Sequence, residues 1–102
     1  NMRKDFRTKR PGRPRGRRNI NFSPSVYYFK PQGVPLRSLS AVELSVEEIE
    51  AIRLKHIEKM DQKECADKMD TSQSTFQRIL SGANEKISQA LIRGQAIKIS
   101  KE

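Results

Sequence analysis

The chain has 102 residues, which allows one small domain with a modest core and leaves little room for a large substrate pocket. Its formal net charge is +9, and no apolar run approaches the length that crosses a bilayer. We therefore expect neither a membrane-spanning protein nor elaborate pocket chemistry, and the basic balance favours a phosphate-bearing partner.

The charge is unevenly distributed along the chain. Residues 1–18 hold nine Lys or Arg and one Asp. Residues 43–70 carry nine acids and five bases, whereas residues 71–101 carry five bases and one acid. The folded part is therefore expected to be polarised, with a positive half that can approach phosphate.

The N-terminal stretch, residues 1–19, is rich in Arg, Pro and Gly, so we expect a disordered basic arm in front of a domain over residues 20–102. Gly12, Arg13 and Pro14 form a core that resembles the AT-hook, in which an Arg-Pro segment lies in the narrow minor groove of A·T-rich DNA. RNA binding or a purely solubilising role are the alternatives. The arginines expected to contact the minor groove or the backbone are Arg10, Arg13, Arg15, Arg17 and Arg18.

Residues 26–30 are aromatic and β-branched and lie between two prolines, a pattern typical of a short extended segment. Tyr27, Tyr28 and Phe29 could stack on bases, but we prefer the interpretation that they cap the core. Residues 96–99 alternate roughly between apolar and polar side chains. The two segments could form a small two-stranded sheet.

A helix is predicted to begin at Ser45, because Ser45 and Glu48 have the spacing of a capping box. It should end near Lys59 and act as a supporting helix. Its apolar positions are Ile49, Ile52, Leu54 and Ile57, and its expected solvated acids are Glu47, Glu50 and Glu58.

Residues 61–81 have the spacing of a helix-turn-helix. Ala66 is small enough for two helices to cross closely, Asp70 falls in the turn, and Ser72 is the expected N-cap of the second helix. Glycine is more usual than aspartate in such turns, although aspartate tolerates the left-handed conformation better than most residues. The buried face of the second helix is predicted to be Phe76, Ile79 and Leu80.

The opposite face of the second helix is polar, as expected for a surface that meets base edges in the major groove. Gln can pair with adenine, Arg with guanine, and Ser with either. A plain helical hairpin is the alternative. The predicted base-reading residues are Ser72, Gln73, Ser74, Gln77 and Arg78, and the predicted backbone contacts at the start of the first helix are Gln62 and Lys63.

The apolar phase continues as far as Leu91, which predicts one long helix over residues 72–93 that ends at Gly94 as a C-cap. Gly82 costs about 1 kcal/mol inside a helix, so a kink or break there is the alternative. Ile92 lies on the exposed part of this helix, and a homodimer through that surface would suit a small DNA reader.

No set of residues indicates catalysis, so an enzyme is not expected. His56 has no Cys or second His at ligand spacing, and neither a metal, a cofactor nor a small-molecule ligand is predicted. Cys65 is the single cysteine, which suits a reducing cytoplasm and a buried structural role.

Four segments together resemble an uncharacterised prokaryotic family known as domain of unknown function one-three-four. They are YFKPQGVPL at residues 28–36, LSVEEIEAIRL at 44–54, QKECADKM at 62–69 and STFQRIL at 74–80. The resemblance spans about residues 17–99, and its first and last segments are the specific ones. It implies a DNA-binding regulator whose helix-turn-helix is similar to region four of bacterial sigma factors. The turn residue Asp70 and the length of the Gly-Arg-Pro arm depart from the family pattern.

The sequence thus predicts a mainly α, three-helix domain with a long C-terminal helix, whose partner is double-stranded DNA. The leading hypothesis is a sequence-specific transcriptional regulator. One alternative is an RNA-binding or nucleoid-type protein in which the arm does most of the binding. The other is a protein-interaction module that uses the long final helix.

Overall fold

The computed structural model describes residues 19–100, so the predicted disorder of the preceding arm lies outside the described residues. This part of the chain is mainly helical, with three α-helices and one small sheet. The helices are α1 (Val46–Ile52), α2 (Gln62–Lys68) and α3 (Gln73–Arg93). The strands are β1 (Tyr28–Phe29), β2 (Ala41–Leu44) and β3 (Ala96–Ile99), and a short 3-10 turn covers Leu36–Ser38.

The sheet has the strand order β1-β3-β2. The predicted pairing of the two end segments is confirmed, because β1 runs antiparallel to β3 with Tyr28 opposite Lys98 and Phe29 opposite Ile97. The third strand, β2, pairs parallel to β3 and was not predicted. Val42 and Leu44 of β2 are buried and alternate with exposed residues, as expected for a strand with one face on the core.

The aromatic residues of β1 do not cap the core as we expected. Tyr28 and Phe29 are both exposed large hydrophobic residues, while Tyr27 is half-buried. The reason is the position of β1 at the edge of the sheet, where the helices cover little of it.

The start of α1 agrees with the prediction. The Ser45 hydroxyl accepts from the Glu48 N–H at 3.1 Å, and the Glu48 carboxylate accepts from the Ser45 N–H at 2.9 Å, which completes the capping box. The helical run then changes at Arg53 into a π-helix that ends at Ile57. Because a π-turn is wider than an α-turn, it rotates the following residues out of the α-helical phase.

Two expectations on the first helix are wrong, and the change of phase explains the one on Ile57. Ile57, predicted to be buried, is 70% exposed, whereas Leu54 inside the π-turn is buried. Glu50, predicted to be solvated, is only 1% exposed. Its carboxylate is paired with Arg53 of the π-turn, with an Nε to Oε1 distance of 2.9 Å.

The core lies among α1, the π-turn, α2 and α3. Ala66 is fully buried in it, as expected for the small residue between two closely packed helices. Phe76 and Leu80 of α3 are buried, and Ile79 packs partly buried against the same cluster. The buried residues of this cluster are Ala51, Leu54, Cys65, Ala66, Met69, Phe76 and Leu80.

The long helix α3 runs without a break through Gly82 and ends at Gly94, whose φ of 67° is the left-handed C-cap geometry. A Cβ on Gly82 would lie 3.3 Å from Glu48 Oε2, so the glycine allows a close approach to α1. Lys86 strengthens this contact by donating to Glu48 Oε1 at 3.0 Å.

One predicted core position of α3 is wrong. Leu91 is 74% exposed, and its neighbour Ile92 is 86% exposed. Successive helical residues are about 100° apart, so the burial of Ala90 turns the next two side chains away from the core.

Candidate nucleic-acid interface

The first of the two paired helices, α2, begins with a second capping box. The Asp61 carboxylate accepts from the Glu64 N–H at 2.8 Å, and the Glu64 carboxylate accepts from the Asp61 N–H at 3.2 Å. Two orphan N–H groups of the first turn are therefore satisfied. This cap fixes where α2 starts, and hence where Gln62 and Lys63 lie.

The connection between α2 and α3 is a short, well-defined turn. The Thr71 N–H donates to Ala66 O at 3.0 Å, and the Asp70 N–H donates to Asp67 O at 3.1 Å. These two bonds are the Schellman pattern of a helix C-terminus, which requires a left-handed residue at its centre. Asp70 supplies that residue with a φ of 59°. Aspartate thus occupies the conformation that glycine would adopt most cheaply.

The start of α3 is fixed by two side chains. The Ser72 hydroxyl accepts from the Thr75 N–H at 3.1 Å, which confirms Ser72 as the N-cap. The Gln62 side-chain amide donates to the Gln73 carbonyl at 3.3 Å and so joins the first residues of the two helices. The relative placement of α2 and α3 therefore depends on local hydrogen bonds as well as on the core.

Most of the predicted base-reading residues share one exposed face at the beginning of α3. Gln73, Ser74, Gln77 and Arg78 are exposed. The hydrogen bonds described for Gln77 and Arg78 are local to the helix: the Gln77 amide donates to Ser81 at 3.1 Å, and Arg78 contacts Thr75 at 3.4 Å. Surface contacts of this length within one helix are easily exchanged for contacts to a ligand.

Three of the remaining predicted residues have local partners. The Ser72 hydroxyl is engaged in the helix cap. Gln62 is half-buried and bonded to Gln73, while Lys63 is exposed and pairs with Asp67 at 3.2 Å. Because both members of that ion pair are well exposed, it contributes little stability, and the Lys63 ammonium stays accessible. The predicted arm residues Arg10, Arg13, Arg15, Arg17 and Arg18 lie outside the described residues.

The structure also places Asn19, the residue that follows the basic stretch, beside the turn between α2 and α3. The Asn19 N–H donates to Met69 O at 3.0 Å, and the Asn19 amide donates to Lys68 O at 3.2 Å. Both carbonyls belong to the end of α2, where a helix leaves acceptors without partners. Asn19, the first described residue, therefore lies beside Met69, which precedes the Ser72 cap by three residues.

The next residues of the N-terminal segment are held by a buried ion pair. The Asn21 N–H donates to Glu50 Oε2 at 3.2 Å, and the Arg53 guanidinium lies over the Phe22 ring, 5.4 Å from its centroid. The hydrogen bonds that Arg53 donates to the Glu50 carboxylate raise the pKa of Arg53, and the negative charges of Glu50 and Glu58 act in the same direction. Arg53 therefore stays cationic and keeps the buried Glu50 carboxylate paired.

Sequence reasoning missed this N-terminal contact. The Glu50 and Arg53 spacing of three residues is a weak signal of a helical ion pair. Nothing in the local sequence indicates that a segment about thirty residues earlier covers that pair. Such long-range contacts are set by packing and not by a motif.

The surroundings of Cys65 do not activate its thiol as a nucleophile. Burial raises the pKa of its thiol, and the sulfur lies 3.6 Å from Met60 O. A thiol of this kind is a poor nucleophile.

Within residues 19–100, no three His, Cys, Asp or Glu side chains are grouped to hold a metal ion. None of the helices in this part of the chain is long and apolar enough to cross a membrane.

Comparison with models of protein families shows which family the chain belongs to. The model of the family described as "Protein of unknown function DUF134" matches residues 7–101, nearly the whole sequence. The chain belongs to this family. The DUF134 match confirms the family resemblance noted in the sequence.

Relatives of this DUF134 protein carry only the name UPF0251 protein. One from Halothermothrix orenii is 52% identical over 84% of the chain, and one from Desulforudis audaxviator is 51% identical over 86%. A third, from Caldanaerobacter subterraneus subsp. tengcongensis, is 51% identical over 85% of the chain. The chain spans 64%, 58% and 74% of the lengths of these three relatives. No solved structure matches it.

Proposed function

We propose that the chain is a sequence-specific binder of double-stranded DNA and acts as a transcriptional regulator in the cytoplasm, without catalytic activity. In this proposal α2, the turn and α3 form a helix-turn-helix similar to sigma region four, and the start of α3 enters the major groove. The observation that carries the proposal is the exposed polar face of Gln73, Ser74, Gln77 and Arg78, presented directly after a tightly fixed turn.

The chemistry of that face suits base edges. Glutamine offers a donor and an acceptor on one amide, which matches adenine, and arginine can donate twice to guanine. The face begins at the N-terminal end of α3, the part of a recognition helix that comes nearest the bases. Ser72 is expected to contribute from the cap itself.

The second contact is with the phosphate backbone. Lys63 is exposed on the first turns of α2, and Gln62 joins that helix to α3. Contacts of this kind fix the register of the protein on the duplex and carry no sequence information. The arginines of the basic stretch, Arg10, Arg13, Arg15, Arg17 and Arg18, are expected to add contacts to the backbone or the adjacent minor groove.

The charge distribution of the folded part supports the same orientation. From residue 71 to residue 101 the chain holds five bases and one acid. Two acids of α1 are paired within the protein. Glu48 caps α1 and forms an ion pair with Lys86, and Glu50 forms an ion pair with Arg53. An acidic surface facing phosphate would repel it, so α3 is the better face for DNA.

Selection of bound sequences from a pool of random duplexes tests the proposal. We expect one enriched motif of a few base pairs that contains guanine and adenine at fixed positions. Recovery of unbiased sequences would favour the alternative of a generic RNA-binding or nucleoid-type protein. Recovery of no DNA at all would favour the hypothesis that the chain is a protein-interaction module that uses α3.

A specific observation favours self-association as a second property. Leu91 and Ile92 expose apolar side chains next to each other at the end of α3. A single small helix-turn-helix reads few base pairs, and pairing on a palindromic site is the usual remedy. We therefore include a homodimer in the proposal.

Replacement of Ile92 with Ser tests the homodimer. If α3 pairs with a second copy, light scattering should show a dimer for the unmodified chain and a shift towards monomer for Ile92→Ser. Ile57→Ser, the same replacement at an isoleucine of the π-turn that is 70% exposed, is the matched control. A monomer at high concentration for the unmodified chain would contradict the homodimer.

A further inference from the structure

Four residues of the sheet region form a surface that we name the aromatic edge: Tyr28, Phe29, Lys30 and Lys98. Tyr28 and Phe29 make up β1, Lys30 follows them, and Lys98 of β3 lies opposite Tyr28. From the exposure and charge of this surface we infer that it binds single-stranded DNA, with bases stacked on the two rings and phosphates paired with the two lysines. The aromatic edge shares no residue with the proposed reading face of α3, and its test does not depend on the proposed function.

The first argument is the exposure of the two rings. Tyr28 is 42% exposed and Phe29 is 52% exposed, because β1 lies at the edge of the sheet. Side chains of successive strand residues point to opposite faces, so a nucleotide chain that crosses the edge meets one ring on each side. Unpaired bases stack readily on exposed aromatic rings, since every base has a π-face. The edge therefore offers two stacking positions.

The second argument is a cation that the structure holds beside Phe29. The Lys30 ammonium donates to Val34 O at 2.8 Å and to Pro31 O at 3.3 Å. Gly33, with a φ of 83°, has the conformation that the third residue of a type II turn requires, and this turn brings the Val34 carbonyl back to Lys30. Because carbonyl groups are neutral, they fix the ammonium in place without cancelling its charge.

The third argument is the charge of the two segments that carry the aromatic edge. Residues 19–42 hold two bases and no acid, and residues 86–100 hold three bases and no acid. The described strands contain one acid, Glu43 of β2, which is in register with Lys98. Its carboxylate accepts from the Ser100 hydroxyl at 2.6 Å, and β3 separates it from Tyr28. The aromatic edge is therefore positive, which suits phosphate.

The combination of rings and cations selects the occupant. A second copy of the chain is a poor partner, because two positive surfaces repel when they face each other. A duplex would use the lysines alone, since its base faces are stacked inside the helix. Between the single strands, DNA is favoured because the methyl group of thymine buries more apolar surface on a ring than uracil does. Stacking and ion pairing also need no 2′-hydroxyl, the group that marks RNA.

Fluorescence anisotropy with two labelled oligomers tests the inference. One is oligo(dT) of about 15 nucleotides, and the other has the same length but is abasic at every position. Both carry the same phosphates, so the ratio of their dissociation constants separates stacking from charge. We expect the unmodified full-length chain to bind oligo(dT) roughly tenfold more tightly than the abasic oligomer.

The variant that removes both rings is Tyr28→Leu with Phe29→Leu, because leucine keeps apolar bulk and has no π-face. Its matched control is Tyr28→Phe with Phe29→Tyr, which keeps two rings at the same positions. We expect the leucine variant to lose the roughly tenfold preference for oligo(dT) and the control to retain it. Urea unfolding shows whether the leucine variant is folded.

A second measurement does not depend on the ring variants. Lys98→Gln should make the dependence of log K on log salt for oligo(dT) shallower by about 0.7, the value for one phosphate of a single strand. Lys68→Gln removes the same charge from an exposed position at the end of α2 and should leave that dependence unchanged. If the leucine variant is not folded, the comparison of the two lysine variants decides.

The inference is overturned if the folded leucine variant keeps the full preference, if the unmodified chain binds both oligomers equally, or if the two lysine variants have the same salt dependence. Tighter binding of oligo(U) than of oligo(dT) would overturn it in favour of RNA. A change from dimer to monomer in light scattering for the leucine variant would overturn it in favour of a second copy. All of these measurements omit duplexes, so their failure is distinct from failure of the proposed function.

Discussion

At the scale of single residues, Glu50 shows how one contact can reverse an expectation drawn from the sequence. Its acidic side chain in a helix with other acids predicted exposure, yet the carboxylate is buried. Three donors surround it, namely Asn21 N, Arg53 Nε and Arg53 Nη2. The Arg53 donors are local and could be guessed from spacing, whereas the Asn21 donor comes from a distant segment.

The first prediction compares the two acids that pair with Arg53. Glu50→Gln should lower the free energy of unfolding by about 3 kcal/mol, because removal of one partner from a buried ion pair leaves the other charge uncompensated. Glu58→Gln should cost less than about 1 kcal/mol, since Glu58 is exposed and water replaces the pair. Urea unfolding monitored by circular dichroism measures both. Equal costs would show that burial of Glu50 does not matter.

At the scale of the elements, local signals predicted the helices well. The capping box at Ser45, the cap at Ser72, the left-handed Gly94 and the unbroken α3 all follow from side chains within a few residues of the feature they control. The π-turn and strand β2 were missed. A π-turn leaves no local pattern, and β2 pairs with β3, which begins more than fifty residues later.

The second prediction concerns the turn between α2 and α3. Asp70→Gly and Asp70→Ala remove the same charge, but only glycine adopts a φ of 59° without strain. The glycine variant should therefore be about 1 kcal/mol more stable than the alanine variant in thermal or urea unfolding. If the two were equally stable, the left-handed turn would not be the conformation in solution.

At the scale of the whole molecule, the candidate site was partly predictable. The polar face of α3 follows from helical periodicity, and Gln73, Ser74, Gln77 and Arg78 do share one exposed surface. The position of the chain entry beside that surface was not predictable. It depends on Asn19 meeting Lys68 and Met69 at the end of α2, about fifty residues later in the chain.

The third prediction separates charge from groove recognition in the basic stretch. Conversion of its five candidate arginines to glutamine should weaken binding to all duplexes and make the dependence of log K on log salt shallower. The slope should fall by about 0.9 for each phosphate that the variant no longer neutralises. The five are Arg10, Arg13, Arg15, Arg17 and Arg18.

The matched control for the arm is Arg13→Lys with Arg15→Lys. It keeps the charge, so the salt dependence should be unchanged, but it should reduce the preference for A·T tracts because lysine lacks the planar guanidinium. If the glutamine variant lost the enriched motif and kept its salt dependence, the assignment of phosphate contacts to the arm and of base reading to α3 would be contradicted.

The central claim is that the beginning of α3 reads bases, and a comparison of two arginines on that helix tests it most directly. Arg78 lies on the proposed reading face and Arg93 in the last turn, and both are exposed and carry the same charge. The measurement is duplex selection and affinity for Arg78→Ala and Arg93→Ala. We predict that Arg78→Ala costs about 1–3 kcal/mol and relaxes the preference at one guanine, while Arg93→Ala keeps the motif. The claim is contradicted if the two variants have the same affinity and the same base preferences.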